Sequence, residues 1–329
     1  MRAAVYRRYG SPDRIRIEDI QVPSPGRGQV LVHVVATSVN LSDWEGLRGS
    51  PAYARFGGLV RPRRHVLGSD IAGRVVAVGA GASRFAVGDA VYGDILSVLG
   101  GFAQYAVAPE TALALKPDGL SFEAASTLPQ AGAIATQAVS RAHPGDRILI
   151  NGGGGGSGMF AIQLAARAGV RVTAVDNSEK LDFMRELGAE RVIDYRSEDF
   201  TRTGPYDLIV DLVARRSVFA YRRALARGGG YLIVGGTGRA LLRVLTLGTV
   251  LGWVTGTRLG VLAVRPGPAS FTELEQPVLA GDVRVSIDRV FSLDQVPAAL
   301  SYVGGGHALG KVVVLIDPAE GSSRTPEPR

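Results

Sequence analysis

The chain has 329 residues, 46% of them hydrophobic and 20% charged, which suits a globular protein of about two domains. It contains no cysteine, which excludes disulfides, thiolate metal sites and a cysteine nucleophile, and fits a reducing compartment. The net charge is +7, yet the excess arginines look scattered, and the dense cluster Arg61 to His65 has no aromatic residues interleaved. A solvated face or the attraction of an anionic cofactor is therefore expected, rather than a nucleic-acid partner.

In chain order, residues 1 to about 125 read as β-rich. "QVLVHVVATSV" alternates, and "DIAGRVVAVG" and "DAVYGDI" are further strands broken by Gly and Asp. From Phe122 the pattern changes to α/β units. "RILI", Arg147 to Ile150, suits a buried strand, and a helix with apolar residues at Phe160, Ile162, Leu164, Ala165 and Ala168 follows, stopped by Gly169. "VRVTAVD", "RVIDY", "YDLIVDLV" and "GGYLIVGG" read as further strands, with helices over Ser178 to Leu187 and Ser217 to Ala226. Strands alternating with helices imply a parallel, doubly wound sheet. "VLTLGTVLGWVTGT", Val244 to Thr257, is too short to span a bilayer and is expected as buried or interface structure. "GVLAVRP" reads as the last strand of the sheet, and the end of the chain returns to strand, helix, strand. The closing "PAEGSSRTPEPR" is polar and Pro-rich and reads as a disordered tail.

Between the first α/β strand and its helix lies "NGGGGGSG". Five consecutive glycines carry a large backbone-entropy cost, so bare backbone must be needed at that point. Within them Gly153, Gly155 and Gly158 match G-x-G-x-x-G. The first glycine permits the tight turn, the second lets backbone approach a pyrophosphate, and the third lets helix pack on strand. Asp176 ends the next strand 18 residues after Gly158, where a carboxylate accepts hydrogen bonds from an adenosine ribose. The expected ligand is a dinucleotide; the alternative is a purely structural glycine turn.

The stretches "ATSVNLSDWEGLRG", "VLGSDIAGRVVAVGAGASRFAVGDAVYG", "GGFAQYAV", "LGAERVIDY" and "GHALGKVVVLID", with the glycine motif, resemble the medium-chain dehydrogenase/reductase superfamily, in its zinc-free quinone-oxidoreductase-like branch. The resemblance runs from Met1 to about Asp317. It implies a GroES-like β-barrel domain from residues 1–124 and 268–317 and a Rossmann domain from residues 125–267, with 318–329 as the tail. The catalytic-zinc ligand positions of zinc-dependent relatives fall on Asn40, Ser69 and Gln130, a neutral set that would hold Zn²⁺ poorly, so no metal is expected.

For catalysis the resemblance points to Asn40 and Ser42 as donors to a substrate oxygen, with Asp43 and Asp70 as the nearby carboxylates. Ser42 reads equally as a turn hydroxyl, and Asp43 as a residue that orders its loop. The cofactor set is Gly153, Gly155, Gly156, Ser157, Gly158, Asp176, Lys180, Tyr195, Gly235 and Lys311. Ser157 stands where relatives often place an apolar residue behind the nicotinamide, and Lys311 where they place a basic residue near the phosphates. Lys180 and Tyr195 stand where relatives contact a 2′-phosphate, although Lys180 can instead pair with Asp176, and Tyr195 can instead cover the adenine. Asp176 tips the expectation for NAD(P)H towards NADH.

The implied activity is reduction of a quinone or α,β-unsaturated carbonyl by hydride transfer. The alternatives are a metal-free alcohol or aldehyde oxidoreductase and, from another class, a weakly catalytic dinucleotide-binding protein with a structural or nucleic-acid partner. A cytoplasmic homodimer is expected, because relatives pair through the last Rossmann strand and the run Leu241 to Val264 is hard to hide in one subunit. No membrane partner is expected.

Overall fold

A computed structural model describes residues 1–321, so the reading of 322–329 as a disordered tail lies outside the described residues. Residues Pro318–Gly321, assigned to that tail, form a short helix instead.

Seven strands come first: β1 (Arg2–Val5), β2 (Arg16–Asp19), β3 (Gln29–Val39), β4 (Asp70–Val78), β5 (Ala90–Asp94), β6 (Tyr105–Pro109) and β7 (Leu113–Leu115). Six follow: β8 (Arg147–Asn151), β9 (Arg171–Asp176), β10 (Arg191–Asp194), β11 (Tyr206–Asp211), β12 (Leu225–Ile233) and β13 (Arg258–Val261). Two close the chain, β14 (Ile287–Ser292) and β15 (Lys311–Leu315). The chain divides into two compact units: residues 1–130, 266–280 and 287 onward form the first, and residues 131–265 with 281–286 the second. The segment 281–286 thus groups with the second unit, where the sequence reading gave it to the first. The reason is local: Gln163 exchanges hydrogen bonds with the backbone of Arg284, at 3.0 and 2.7 Å.

In the first unit, seven strands form one sheet in the order β14-β15-β3-β4-β5-β7, with β6 pairing β3. Strand β3 is antiparallel to β15, β4 and β6, and neighbours on all sides leave it buried along almost its whole length. Its Val30, Val32 and Val34 enter a core with Ile71, Val91 and Leu113.

The second unit is a six-stranded, wholly parallel sheet in the order β10-β9-β8-β11-β12-β13. Its central strands are continuous apolar runs because helices cover both faces of such a sheet. The order reverses between β8 and β11, and ligands of doubly wound sheets bind at the carboxyl ends of the strands around such a reversal. At that edge lies Asp211, fully buried at the end of β11, which accepts from Asn151 Nδ2 at 2.7 Å, Tyr231 Oη at 2.9 Å and the Ala214 N–H at 2.9 Å.

Of the two expectations for the run Val244 to Thr257, buried or interface structure, burial is not met. It lies within a nearly continuous helical stretch from Gly238 to Thr255, and its large side chains face outward: Leu245, Leu247, Val250, Trp253 and Val254 are all exposed, Trp253 by 88%. Apart from Val244, the buried positions are small ones, Gly248, Gly252 and Thr257. A Cβ on Gly252 would lie 2.6 Å from the Thr257 carbonyl, and one on Gly248 3.3 Å from Leu259 Cβ, so glycine lets this helix lie close on β13.

Candidate active site and cofactor loop

The glycine run becomes a tight turn from β8 into the first helix needed here, α1 (Gly156–Arg167). Gly152 has φ +90°, a backbone conformation that glycine adopts without strain. Gly153 has no room for a side chain, since a Cβ would lie 2.8 Å from Met184 Sδ. On Gly154 it would run into the Lys180 side chain, and on Gly158 into the Gly152 carbonyl. Gly155 differs: nothing lies nearer to its Cβ position than the Gly152 oxygen at 3.6 Å, and it caps α1 without a side-chain hydrogen bond. The N–H groups of Gly156, Ser157 and Gly158 open the helix, where no residue four earlier can serve them as a helical partner. Free donors and the positive end of the helix dipole suit a pyrophosphate, so the loop fits the expected dinucleotide.

Asp176 closes β9 beside this turn. Its Oδ2 accepts from the Gly154 N–H at 3.0 Å and its Oδ1 from the Asn177 N–H at 2.9 Å. Lys180 Nζ lies 3.7 Å from Oδ1, and the two side chains are only 6% and 13% exposed. Of the two sequence readings of Lys180, the structure contains the pair with Asp176. Tyr195 follows β10, is more than one-third exposed, and has the Arg196 guanidinium 5.6 Å from its ring centre. Gly235 follows β12 with φ +70° and open space on its Cβ side.

In the first unit, Asn40, Ser69 and Asp70 meet at the ends of β3 and β4. Asn40 Nδ2 donates to Ser69 Oγ at 3.1 Å and to Asp70 Oδ2 at 2.8 Å, which commits both amide hydrogens. Its Oδ1 accepts from Lys311 Nζ at 2.6 Å. The Gln130 N–H reaches Asp70 Oδ1 at 3.1 Å, and Ser42 Oγ donates to Gln130 Oε1 at 3.0 Å. The three positions matched to zinc ligands therefore stand around Asp70: Asn40 donates to Ser69 and Asp70, and Gln130 meets Asp70 through its backbone N–H. Among the described residues no three His, Cys, Asp or Glu side chains converge as a ligand set. This neutral amide and hydroxyl set does not fit Zn²⁺, which takes thiolate, imidazole or carboxylate.

Two expectations change here. Asn40 has no amide hydrogen left for a substrate. Lys311, expected near the cofactor phosphates, is instead 2% exposed within the first unit, 3.7 Å from Asp70 Oδ2. A buried ammonium requires a counter-charge, and Asp70 supplies it. Burial pulls the Lys311 ammonium below its usual range and pushes the Asp70 carboxyl above its own, while each partner opposes the other's shift. Asp94, on the neighbouring strand, is raised by burial as well.

Asp43 takes the loop-ordering role. Its Oδ2 accepts the Asn40 N–H at 2.9 Å and its Oδ1 the Gly68 N–H at 3.0 Å, and burial raises it to about 7 against those two bonds. Ser42 is the half-buried hydroxyl of the group, and its one recorded partner is Gln130 Oε1. Sequence reasoning missed the central position of Asp70 and the part played by Asp211. The available signal was an acid ending or opening an otherwise apolar strand, as in "YDLIVD" and "DIAGRVV".

Comparison with known proteins gives two family matches, the alcohol dehydrogenase GroES-like domain over residues 26–118 and a family described as zinc-binding dehydrogenase over residues 187–314. A 2-methylene-furan-3-one reductase of Solanum lycopersicum is 32% identical, covering 95% of this chain and 79% of its own length. The chloroplastic quinone-oxidoreductase QR1 of Triphysaria versicolor is 31% identical, covering 95% and 98%. Among solved structures, the quinone oxidoreductase from Coxiella burnetii superposes with a TM-score of 0.85 at 29% identity, covering 96% of this chain and 99% of that one.

Proposed function

This chain belongs to the medium-chain dehydrogenase/reductase superfamily, in its quinone-oxidoreductase-like branch, and from that premise we propose that it is an NAD(P)H-dependent reductase of quinones or α,β-unsaturated carbonyls. The observation that carries the reading is the uncapped N-terminus of α1 behind the bare Gly155, which fits a dinucleotide pyrophosphate. When bound, the nicotinamide supplies a hydride to an electron-poor carbon of the acceptor. The chain's own residues bind and orient. Gly156, Ser157 and Gly158 would offer N–H groups to the phosphates, and Asp176, fixed by two backbone donors, would accept from the ribose hydroxyls. Tyr195 and Gly235 would help to hold the cofactor.

Ser42 Oγ is the donor we assign to the oxygen that gains charge on the acceptor. Gln130, held by Asp70, keeps that hydroxyl in place until it turns. Asn40, Asp43 and Lys311 act as positioning residues beneath it. A neutral donor set suits an acceptor already activated by conjugation, because alcohol oxidation calls for stronger alkoxide stabilisation than one hydroxyl offers. Asp176 supports a modest preference for NADH, and Lys180, by neutralising it, keeps NADPH usable. We further propose a homodimer joined along β13, which ends the sheet order with one edge free, and a cytoplasmic location consistent with a cysteine-free chain.

The test is consumption of NADH and NADPH with a panel of benzoquinones and conjugated enones, with and without EDTA. Turnover that survives chelation supports the reading. Oxidation of simple alcohols without quinone or enone reduction, or activity lost with EDTA and restored by zinc, refutes it.

A further inference from the structure

Burying a carboxylate is costly, and a strand end can be closed by neutral groups instead. Asp211 nevertheless ends β11 fully buried, and four neutral donors meet it. Its Oδ1 accepts from Asn151 Nδ2 at 2.7 Å and from the N–H groups of Ala214 at 2.9 Å and Val213 at 3.1 Å, and its Oδ2 accepts from Tyr231 Oη at 2.9 Å. Asn151 ends β8 and Tyr231 lies on β12, so one side chain ties β11 to both neighbouring strands and to the turn that follows it. A carboxylate accepts on both oxygens and donates nothing, which is what this set of donors calls for.

The turn Leu212 to Ala214 is held in a conformation that it would not take by itself. Ala214 has φ +58°, in the left-handed region that a residue with a Cβ rarely occupies. Such residues persist where the surroundings hold them, and they cluster at binding sites. Two glycines make the room. A Cβ on Gly152 would lie 3.1 Å from both Leu212 Cβ and Val213 Cγ2, and one on Gly236 would lie 2.7 Å from Ala214 Cβ. The turn is therefore wedged between the glycine that opens the cofactor loop and the one that follows Gly235, where the strand order reverses. Val213 is apolar, yet it stands 39% exposed at this edge.

We propose that Asp211 is a positioning residue for the dinucleotide: its carboxylate holds Leu212 to Ala214 in the strained turn that gives the crevice an apolar wall, Val213. This rests on the dinucleotide reading of the glycine loop and adds to it a residue that itself touches no ligand. Closing the strand ends alone would need the bonds to Asn151 and Tyr231, and not those to Val213 and Ala214. Without the carboxylate the two turn N–H groups lose their acceptor, Ala214 relaxes to negative φ, and Val213 moves with it.

Calorimetric titration of the full chain with NADH and NADPH, beside steady-state rates and thermal melting, is the test. Asp211→Ala should weaken binding of the favoured cofactor by about tenfold and raise its KM in step, with kcat at saturating cofactor kept within about threefold. Asp211→Asn keeps an acceptor oxygen for Asn151, Val213 and Ala214 and should bind within about threefold of wild type. In Asp211→Ala/Ala214→Gly the turn reaches its conformation without strain, so affinity should recover while the melting temperature, set by the stranded Asn151 and Tyr231, stays low. Val213→Ser, a change at an exposed side chain that does not depend on how the Asp211 variants fold, should weaken binding by about threefold or more. A folded Asp211→Ala protein that binds as wild type overturns the proposal. So does a double variant whose affinity and melting temperature stay low together, since Asp211 would then serve the strand ends alone, and so does unchanged binding in Val213→Ser. A wild type that binds neither cofactor overturns the dinucleotide reading itself, and this proposal with it.

Discussion

Asp176→Ser is the change that most directly examines the cofactor unit. In the wild type this carboxylate takes the N–H groups of Gly154 and Asn177 and stands 3.7 Å from Lys180 Nζ, with both side chains nearly buried. Serine keeps one acceptor for Gly154 but leaves the Lys180 ammonium without its counter-charge. A 2′-phosphate can replace that charge, and the ribose of NADH cannot. Two unit charges 3.7 Å apart attract by about 4 kcal/mol at an effective dielectric of 20. Desolvation of the phosphate offsets part of this, and we expect about 2 kcal/mol to appear in the comparison, roughly 30-fold in relative kcat/KM. The assay is initial rates with each cofactor at saturating quinone, in wild type and variant, with thermal melting as the control for folding. The wild type should prefer NADH and the variant NADPH. A ratio that stays within about threefold of wild type refutes the electrostatic argument, and a wild type that prefers NADPH refutes the assigned role of Asp176.

Three further outcomes follow from the first unit. Ser42→Ala should lower turnover by up to about 100-fold with cofactor affinity retained, whereas Asn40→Ala, which strands Lys311 and Asp70, should chiefly lower the melting temperature; stopped-flow turnover beside calorimetry separates them, and the reverse pattern refutes the assignment. Lys311→Met leaves the Asp70 carboxylate buried without a cation and should cost about 3–5 kcal/mol in urea unfolding; a loss below about 1 kcal/mol would show that the pair contributes little. Asp43, raised to about 7 by burial, contributes stability that is fully present below its unfolded value of 3.8 and is lost as pH rises through 7. Stability should thus fall between about pH 4 and 7 and level off above it, by no more than about 1.4 kcal/mol per pH unit for one proton, and Asp43→Asn should flatten the slope; a wild type that gains stability over this interval contradicts the sign.

Much of the second unit was legible in the chain because its determinants are local. A strand, a turn and a helix occupy consecutive residues, so the glycine run could be placed on its turn, and the alternation of apolar strands and helices is enough to imply a parallel sheet. The segment 281–286 went astray because the bonds that place it reach back 121 positions, to Gln163.

The polar centre of the first unit depends on tertiary structure almost entirely. Asn40 meets Asp70 across 30 positions, Ser42 meets Gln130 across 88, and Lys311 reaches Asn40 across 271. Residue type by itself left Asn40 free to face a substrate and Lys311 free to face a phosphate. Packing turned both inward, where a buried ammonium requires a carboxylate and a buried amide requires partners for each of its hydrogens. The same holds for the helix from Gly238 to Thr255. Its apolar composition was plain in the sequence and suggested buried or interface structure. The close seat of Gly248 and Gly252 on β13 assigned the inner face to the small residues, and so left Leu245, Val250 and Trp253 on the outside. Sequence determined which residues were available and which elements they form; the direction each side chain faces was decided by contacts between segments far apart in the chain.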